Sequence, residues 1–299
     1  MLRHFLFAGL ISTAAGFAYA DGSATCGKLF LNSTPPSLVT AQGRTRQLCL
    51  SSYAVLSNTT LRAPQWSAER LTGDAVMSAR QLARDSDFYE EPRLPPSGRA
   101  ALADFARSGY DRGHLAPSGD FADKAGQAGQ ADSFSLANVV PQDPASNRRL
   151  WSHIETSTRR LARQHGVVYV VTGAVYGPAP LRLRDRVAVP RYLWKAIALP
   201  NAGAAAYIAR NDGKLLYSVV SIEELARFAG VDPFPALSRS ARQNAIDLPP
   251  PTPHPGEKTG RLAPLGTLTK AESSGEAEAT RFQDSPAARF VMAVAALHF

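Results

Sequence analysis

Three of the six histidines in the chain, His114, His153 and His165, lie between Asp21 and Asp247. Imidazole exchanges protons near neutral pH, so any chemistry of that kind in this stretch draws on this short set. His114 sits in GYDRGHLAPSGDF, a polar segment punctuated by Gly and Pro, where a buried structural imidazole is uncommon. Asp111, Arg112 and His114 put a carboxylate, a guanidinium fork and a base within one short turn. The base can take a proton from water while the fork holds a charged oxyanion. Taken alone, the four-residue run from Asp111 to His114 also suits an ordinary surface turn.

Downstream, Asn147, Trp151, Glu155 and Arg159 recur every four residues. On a helix this spacing forms a slowly drifting stripe beside the apolar Leu150, Ile154 and Leu161. An amide and a carboxylate are hard oxygen donors, better suited to Mg²⁺ than to zinc. Glu155 and Arg159 also make an ordinary i,i+4 ion pair, Trp151 reads best as core packing, and Asn147 serves equally as a cap, a hydrogen-bond anchor or a ligand.

The elements that must position these groups follow from pattern. A helix is expected over 146–164, with Ser146 as N-cap after Pro144 and His165-Gly166 as its stop. The run VVYVVTGAVYG after it reads as a fully buried strand. Further strands are expected at 53–56, 192–199 and 205–209, a short helix or extended segment at 77–84, and a capped helix ending at Gly230. Unequal loops and few helices point to an α+β or mixed α/β domain rather than a doubly wound parallel sheet. From Leu248 the run LPPPTPHPG opens a segment rich in Pro, Gly, Ser, Thr and Glu, read as a flexible tail over 248–299.

The 299 residues, 44% hydrophobic with two cysteines, exclude a disulfide-dense miniprotein, a collagen and a wholly disordered chain. The start, MLRHFLFAGLISTAAGFAYA, has a short basic region, an apolar run and an Ala18-Tyr19-Ala20 ending, the layout of a cleavable secretory signal over 1–20. An uncleaved anchor is the other reading, but the apolar run is short for a membrane span. No other segment is long enough to cross a bilayer. In an oxidising compartment Cys26 and Cys49 are expected to pair, contributing about 3 kcal/mol. Beyond the leader, the positive excess of the chain, net +8 overall, falls between Asp21 and Asp247, and 27 of the 33 basic residues are arginine. That composition suits an anionic partner.

GYDRGHLAP, then LANVVPQ with Asn138, Pro141 and Gln142, then SNRRLWSHIETSTR resembles the DNA/RNA non-specific endonucleases. This is the ββα-metal group that includes the mitochondrial endonuclease G type and secreted sugar-non-specific nucleases. The resemblance spans about 53–228 and implies an α+β, ββα-metal nuclease fold: a mainly antiparallel central sheet flanked by helices, within a nuclease domain over 21–247. It implies His114 as general base, Asn147 as direct ligand of one catalytic Mg²⁺ (for which Mn²⁺ could substitute), and Glu155 reaching the metal through water. Arg159 would contact phosphate, Arg112 would stand beside the base, and Asp111 would support the motif. The segment ARDSDFYEEPRLP resembles the one that delivers another phosphate-binding arginine, which points to Arg84, with Arg80 and Arg93 close by. One departure is Arg148-Arg149-Leu150, where relatives often carry small or polar residues.

The implied activity is secreted or periplasmic hydrolysis of DNA and RNA without sequence preference. Zinc-finger spacing, a recognition-helix signature and an RNA-binding aromatic motif are all missing from the sequence. A homodimer and a protein inhibitor are further expected partners. Two other readings keep the scaffold: a basic nucleic-acid-binding protein that has lost catalysis, and a phosphodiesterase for small diesters. The joint presence of His114, Asn147 and Glu155 speaks against the first.

Overall fold

A computed structural model describes residues 26–40, 43–82, 87–121 and 127–270. The leader and Arg84 lie outside the described residues. The first three strands of the main sheet are β1 (Thr45–Cys49), β2 (Tyr53–Asn58) and β3 (Ala63–Thr72). The Thr72 side chain accepts from the Ala75 amide and so starts helix α1 (Gly73–Ala79) upstream of the helix expected over 77–84. Next come β4 (Asp111–His114) and β5 (Val139–Gln142), which pair antiparallel as a short ribbon. A π-helical turn (Ser146–Trp151) then leads into α2 (Ser152–His165), which ends at Gly166 with φ 77°.

The second run of long strands is β6 (Val167–Val175), β7 (Tyr192–Leu199), β8 (Gly203–Arg210) and β9 (Leu216–Val220). Helix α3 (Ile222–Ala229) follows, closed by a Ser221–Glu224 capping box and by Gly230 at φ 68°. The short strand β10 (Arg261–Leu262) comes last. One eight-stranded sheet runs β10-β9-β8-β7-β6-β3-β2-β1, antiparallel throughout except where β10 pairs parallel with β9. Two meanders, β1 to β3 and β6 to β9, therefore meet along the β3–β6 seam, where Thr72 is the register partner of Val167. Residues 73–166 form one excursion between these neighbours, and the Gly73 amide donates to the Gly166 carbonyl at 2.9 Å.

Strand alternation gives the sheet two differently used faces. On β7, Trp194, Ala196 and Ala198 join a core with α3 residues Ile222 and Leu225. Leu193 and Ile197 face the other way, packing with Leu150, Ile154 and Leu161 of the π turn and α2. These are the apolar positions expected for that helix. The expected α+β architecture with a mainly antiparallel sheet flanked by helices is the one observed. Cys26 and Cys49 form a disulfide, with Cα atoms 5.7 Å apart, tying the chain ahead of β1 to that edge strand. Among the described residues no helix is long and apolar enough to cross a membrane.

The reading of a flexible tail from Leu248 is corrected over 248–270, where the chain lies along the domain as a strap. Tyr207 Oη donates to the Pro249 carbonyl, and Ser157 Oγ donates to the Pro250 carbonyl while accepting from the Thr252 amide. Leu268 is fully buried, and its carbonyl accepts from Arg210. A Pro-rich run lacks helical or strand periodicity, but its prolines leave carbonyls free to be bound by side chains of the domain. Residues 271–299 lie outside the described residues.

Candidate active site

The β4–β5 ribbon and the helix after it hold the residues singled out by sequence. In the ribbon Asp111 faces Gln142, Arg112 faces Pro141, Gly113 faces Val140 and His114 faces Val139. Gly113 is required by contact: a Cβ there would fall 2.6 Å from the Gln142 Cβ. His114 stands against two rings, Phe88 at 5.2 Å and Phe134 at 5.2 Å edge to face, which restricts how the imidazole can turn. Its backbone is held from below by the fully buried Asn138. The Asn138 Oδ1 accepts from Ser67 Oγ (2.8 Å) and the Ala116 amide (3.0 Å). Its Nδ2 donates to the carbonyls of Ala116 (2.8 Å) and Ser133 (2.9 Å). Its own carbonyl accepts from the Leu115 amide, immediately after His114.

The π turn begins at a cap other than the expected Ser146. Asp143 Oδ1 accepts from the Ser146 amide, so Asp143 caps the helix across Pro144. Asn211 fixes this start from the sheet, accepting from the Asp143 amide and donating to the carbonyls of Pro141 and Pro190. Because a π turn fits an extra residue into its coil, the even four-residue stripe expected from 147 to 159 is broken at Trp151.

Asn147 sits in that turn, its Nδ2 donating to Asp111 Oδ2 at 2.9 Å. The carboxylate thereby fixes which end of the amide is which and leaves Oδ1 as the end able to accept. Arg148 closes on the same carboxylate with two bonds, 2.8 and 2.7 Å, while its own side chain stays 70% exposed. Partial burial alone would raise the Asp111 carboxyl, but the bonds from Arg148 and Asn147 outweigh it and hold it below the usual range. The Arg148 departure thus has a structural effect: it ties the first residue of the ribbon to the helix.

Trp151 is buried, as expected of a core residue. Glu155 lies 4.0 Å from Arg159, whose firmer partner is Asp120 at 2.9 Å, and Arg159 is 20% exposed. Arg112 packs its guanidinium over Phe88 (5.2 Å) and Phe105 (6.0 Å), and its Nε is buried without a hydrogen-bond partner among the described residues. Arg93 is committed to Glu91 by two bonds and to the Cys49 carbonyl. Of the three upstream arginines considered, it is therefore taken up in a structural role, while Arg80 is exposed at the end of α1.

Beneath the ribbon lies a polar seam that sequence reasoning missed. Ser67, Glu69, Thr172 and Lys195 are all buried on strands β3, β6 and β7. Lys195 shares the face of Leu193 and Ile197, so it faces the π turn; its Nζ lies 5.6 Å from the Trp151 ring, donating to Thr172 Oγ1 (2.6 Å) and the Leu115 carbonyl (3.4 Å). Burial, and then the Asp120 carboxylate, push the Glu69 carboxyl well above its usual range, with Lys195 pulling the other way. A lysine inside the strand YLWKAIAL was the available signal. A cavity of about 930 Å³ lined by Arg70, His165 and Asn201 includes none of the expected site residues.

An antiparallel ribbon bearing a histidine, followed by a helix that presents an amide and a carboxylate, is the ββα-metal arrangement. The model of the DNA/RNA non-specific endonuclease family matches residues 37–240, and the chain belongs to that family. It is 35% identical over 161 residues to nuclease C1 of Cunninghamella echinulata var. echinulata, covering 50% of this chain and 63% of that protein. To the mitochondrial nuclease EXOG of Homo sapiens it is 28% identical over 222 residues, 66% of this chain and 59% of that protein. The chain thus spans about six tenths of the length of these curated relatives. Its fold matches the crystal structure of the EndoG/EndoGI complex, described as showing the mechanism of EndoG inhibition, with TM-score 0.62 and 26% identity over 77% of this chain and 97% of that one.

Proposed function

We propose that the protein is an exported, Mg²⁺-dependent endonuclease that hydrolyses DNA and RNA without sequence preference. The observation that carries this reading is the Asn147 amide, turned by Asp111 so that its oxygen is available on the helix following the His114 ribbon. Asn147 Oδ1 and the Glu155 carboxylate are hard oxygen donors and fit Mg²⁺ or Mn²⁺. When bound there, the ion would neutralise a phosphate oxygen and stabilise the departing 3′ oxygen.

The residues of the chain do the rest. His114, its ring set between Phe88 and Phe134, takes the proton from an in-line water. Asp111 and Arg148 orient Asn147, and Arg159 with Asp120 fixes the flank that carries Glu155. Arg112 and Arg84 are the proposed phosphate contacts, together with whatever surface Arg159 keeps. Backbone contacts by arginine carry no sequence information, which suits broad cutting of both nucleic acids. The leader and the Cys26–Cys49 bridge support export. A second copy of the chain and an inhibitor protein, like the one in the EndoG/EndoGI complex, are the proposed macromolecular partners.

The test is plasmid digestion by His114→Ala. The base is worth about 10² to 10⁴ in rate, so the variant should be nearly silent in Mg²⁺ with its circular dichroism unchanged. A folded variant cutting at close to the wild-type rate would overturn the assignment. EDTA-resistant binding of duplex by the wild type without degradation would favour a binding protein instead.

A further inference from the structure

The first turn of α2 carries a second cluster of metal-ligating groups that the nuclease reading does not use. His153 is fully buried, and its Nε2 lies 2.5 Å from Glu257 Oε2 on the strap. The His254 ring stands 5.2 Å from the His153 ring, nearly at right angles. One ligand atom from each of His153, His254 and Glu257 lies within 4.8 Å of the others. Ser152 Oγ sits 3.0 Å from His254 Nε2 and holds that ring near the cluster.

We propose that His153, His254 and Glu257 bind a transition-metal ion, Zn²⁺ being the best fit, which fastens the strap to α2. Two imidazoles and one carboxylate form a borderline-soft donor set that zinc prefers and Mg²⁺ does not. Tetrahedral zinc, with bonds of about 2.0 to 2.1 Å, needs ligand atoms about 3.3 Å apart. The 2.5 Å contact must therefore open and the widest separation close. The strap can supply these movements, since Glu257 is exposed and His254 partly so, whereas His153 is fixed in the helix.

This ion is separate from the one proposed at Asn147. Glu155 is two residues beyond His153, so it projects about 200° around the helix from it. The strap ligands also belong to a Pro-rich segment whose other ties to α2 are the bonds of Ser157 to Pro250 and Thr252. Without a metal, the strap is tied to α2 by hydrogen bonds alone, those of Ser157 and the Ser152–His254 and His153–Glu257 contacts; with one, it is cross-linked to the helix that presents Asn147 and Glu155.

The experiment uses untagged full-length protein stripped with EDTA and dialysed, then titrated near neutral pH with Zn²⁺ against a chromophoric chelator and with Co²⁺ by visible absorption. Wild type, Asn147→Ala, His254→Ala and Glu257→Gln are compared, with circular dichroism confirming each fold. Wild type and Asn147→Ala should both give the intense visible bands of four-coordinate Co²⁺. His254→Ala should lose those bands and bind Zn²⁺ about 10²-fold more weakly, and Glu257→Gln should be weakened about tenfold. Zn²⁺ should raise the Tm of wild type and leave that of His254→Ala unmoved. Equal Zn²⁺ affinity in wild type and His254→Ala would overturn the proposal, as would wild-type affinity weaker than about 100 μM, which would leave a plain His153–Glu257 ion pair. The readouts are metal binding and melting, so failure here leaves the nuclease reading standing, and loss of cleavage in His114→Ala bears only on that reading.

Discussion

Asn138 spends both ends of its amide on four bonds and lends its carbonyl to a fifth, all of them around the backbone that carries His114. Cutting the side chain back strands several buried donors and acceptors, each costing about 1 to 3 kcal/mol. Asn138→Ala should therefore lower unfolding stability in urea by about 2 to 4 kcal/mol and loosen His114, with activity falling more than stability alone explains. Asp111 gives a pH signature. Its folded-state pKa is depressed, so its contribution is fully present above the unfolded value of about 3.9 and is lost as pH falls through the lower folded value. Thermal melts across acid pH should show wild type losing stability more steeply than Asp111→Asn; parallel curves would remove this pair from the acid response. Asp111, His114 and Asn147 could be found in the sequence because their chemistry sits in short contiguous motifs. Glu69, Thr172 and Asn211 could not, because their roles arise only when strand register brings them beside the ribbon and the helix entry, and Lys195 left only the sign of a charge inside an apolar strand.

At the scale of elements, α2 and the buried strand β6 were legible because their hydrophobic periods are strong and Gly166 marks the boundary between them. The π turn was not, since it results from Asp143 capping and from Asn211 holding the entry, neither of which alters the apolar spacing. The strap was misread for a related reason: composition without periodicity looks unfolded, yet its carbonyls and the buried Leu268 find partners on the domain. Burying a leucine side chain is worth about 1.5 to 3 kcal/mol. Truncation after Asp247 should cost at least that much and lower the Tm, whereas truncation after Lys270 keeps every contact described for the strap. Matching melts for the two truncations would show that the strap adds nothing.

Over the whole molecule, the Cys26–Cys49 bridge joins a core residue to the edge strand across a sequence separation of 23. Cys49→Ser should cost about 3 kcal/mol in urea unfolding under oxidising conditions and nothing once wild type is reduced. Any electrostatic draw of the arginine-rich domain on a polyanion weakens as salt rises. The β3–β6 seam governs how the molecule comes together in time. The whole ribbon-and-helix site lies on residues 73–166, whose ends meet at the Gly73–Gly166 hydrogen bond. Closing a loop of that length costs about 4 kcal/mol before any contact along the seam repays it. Contacts so distant in sequence make folding slow. His114 is therefore set over its polar floor only after the two meanders have zipped together, and a chain still waiting for that step carries no assembled site.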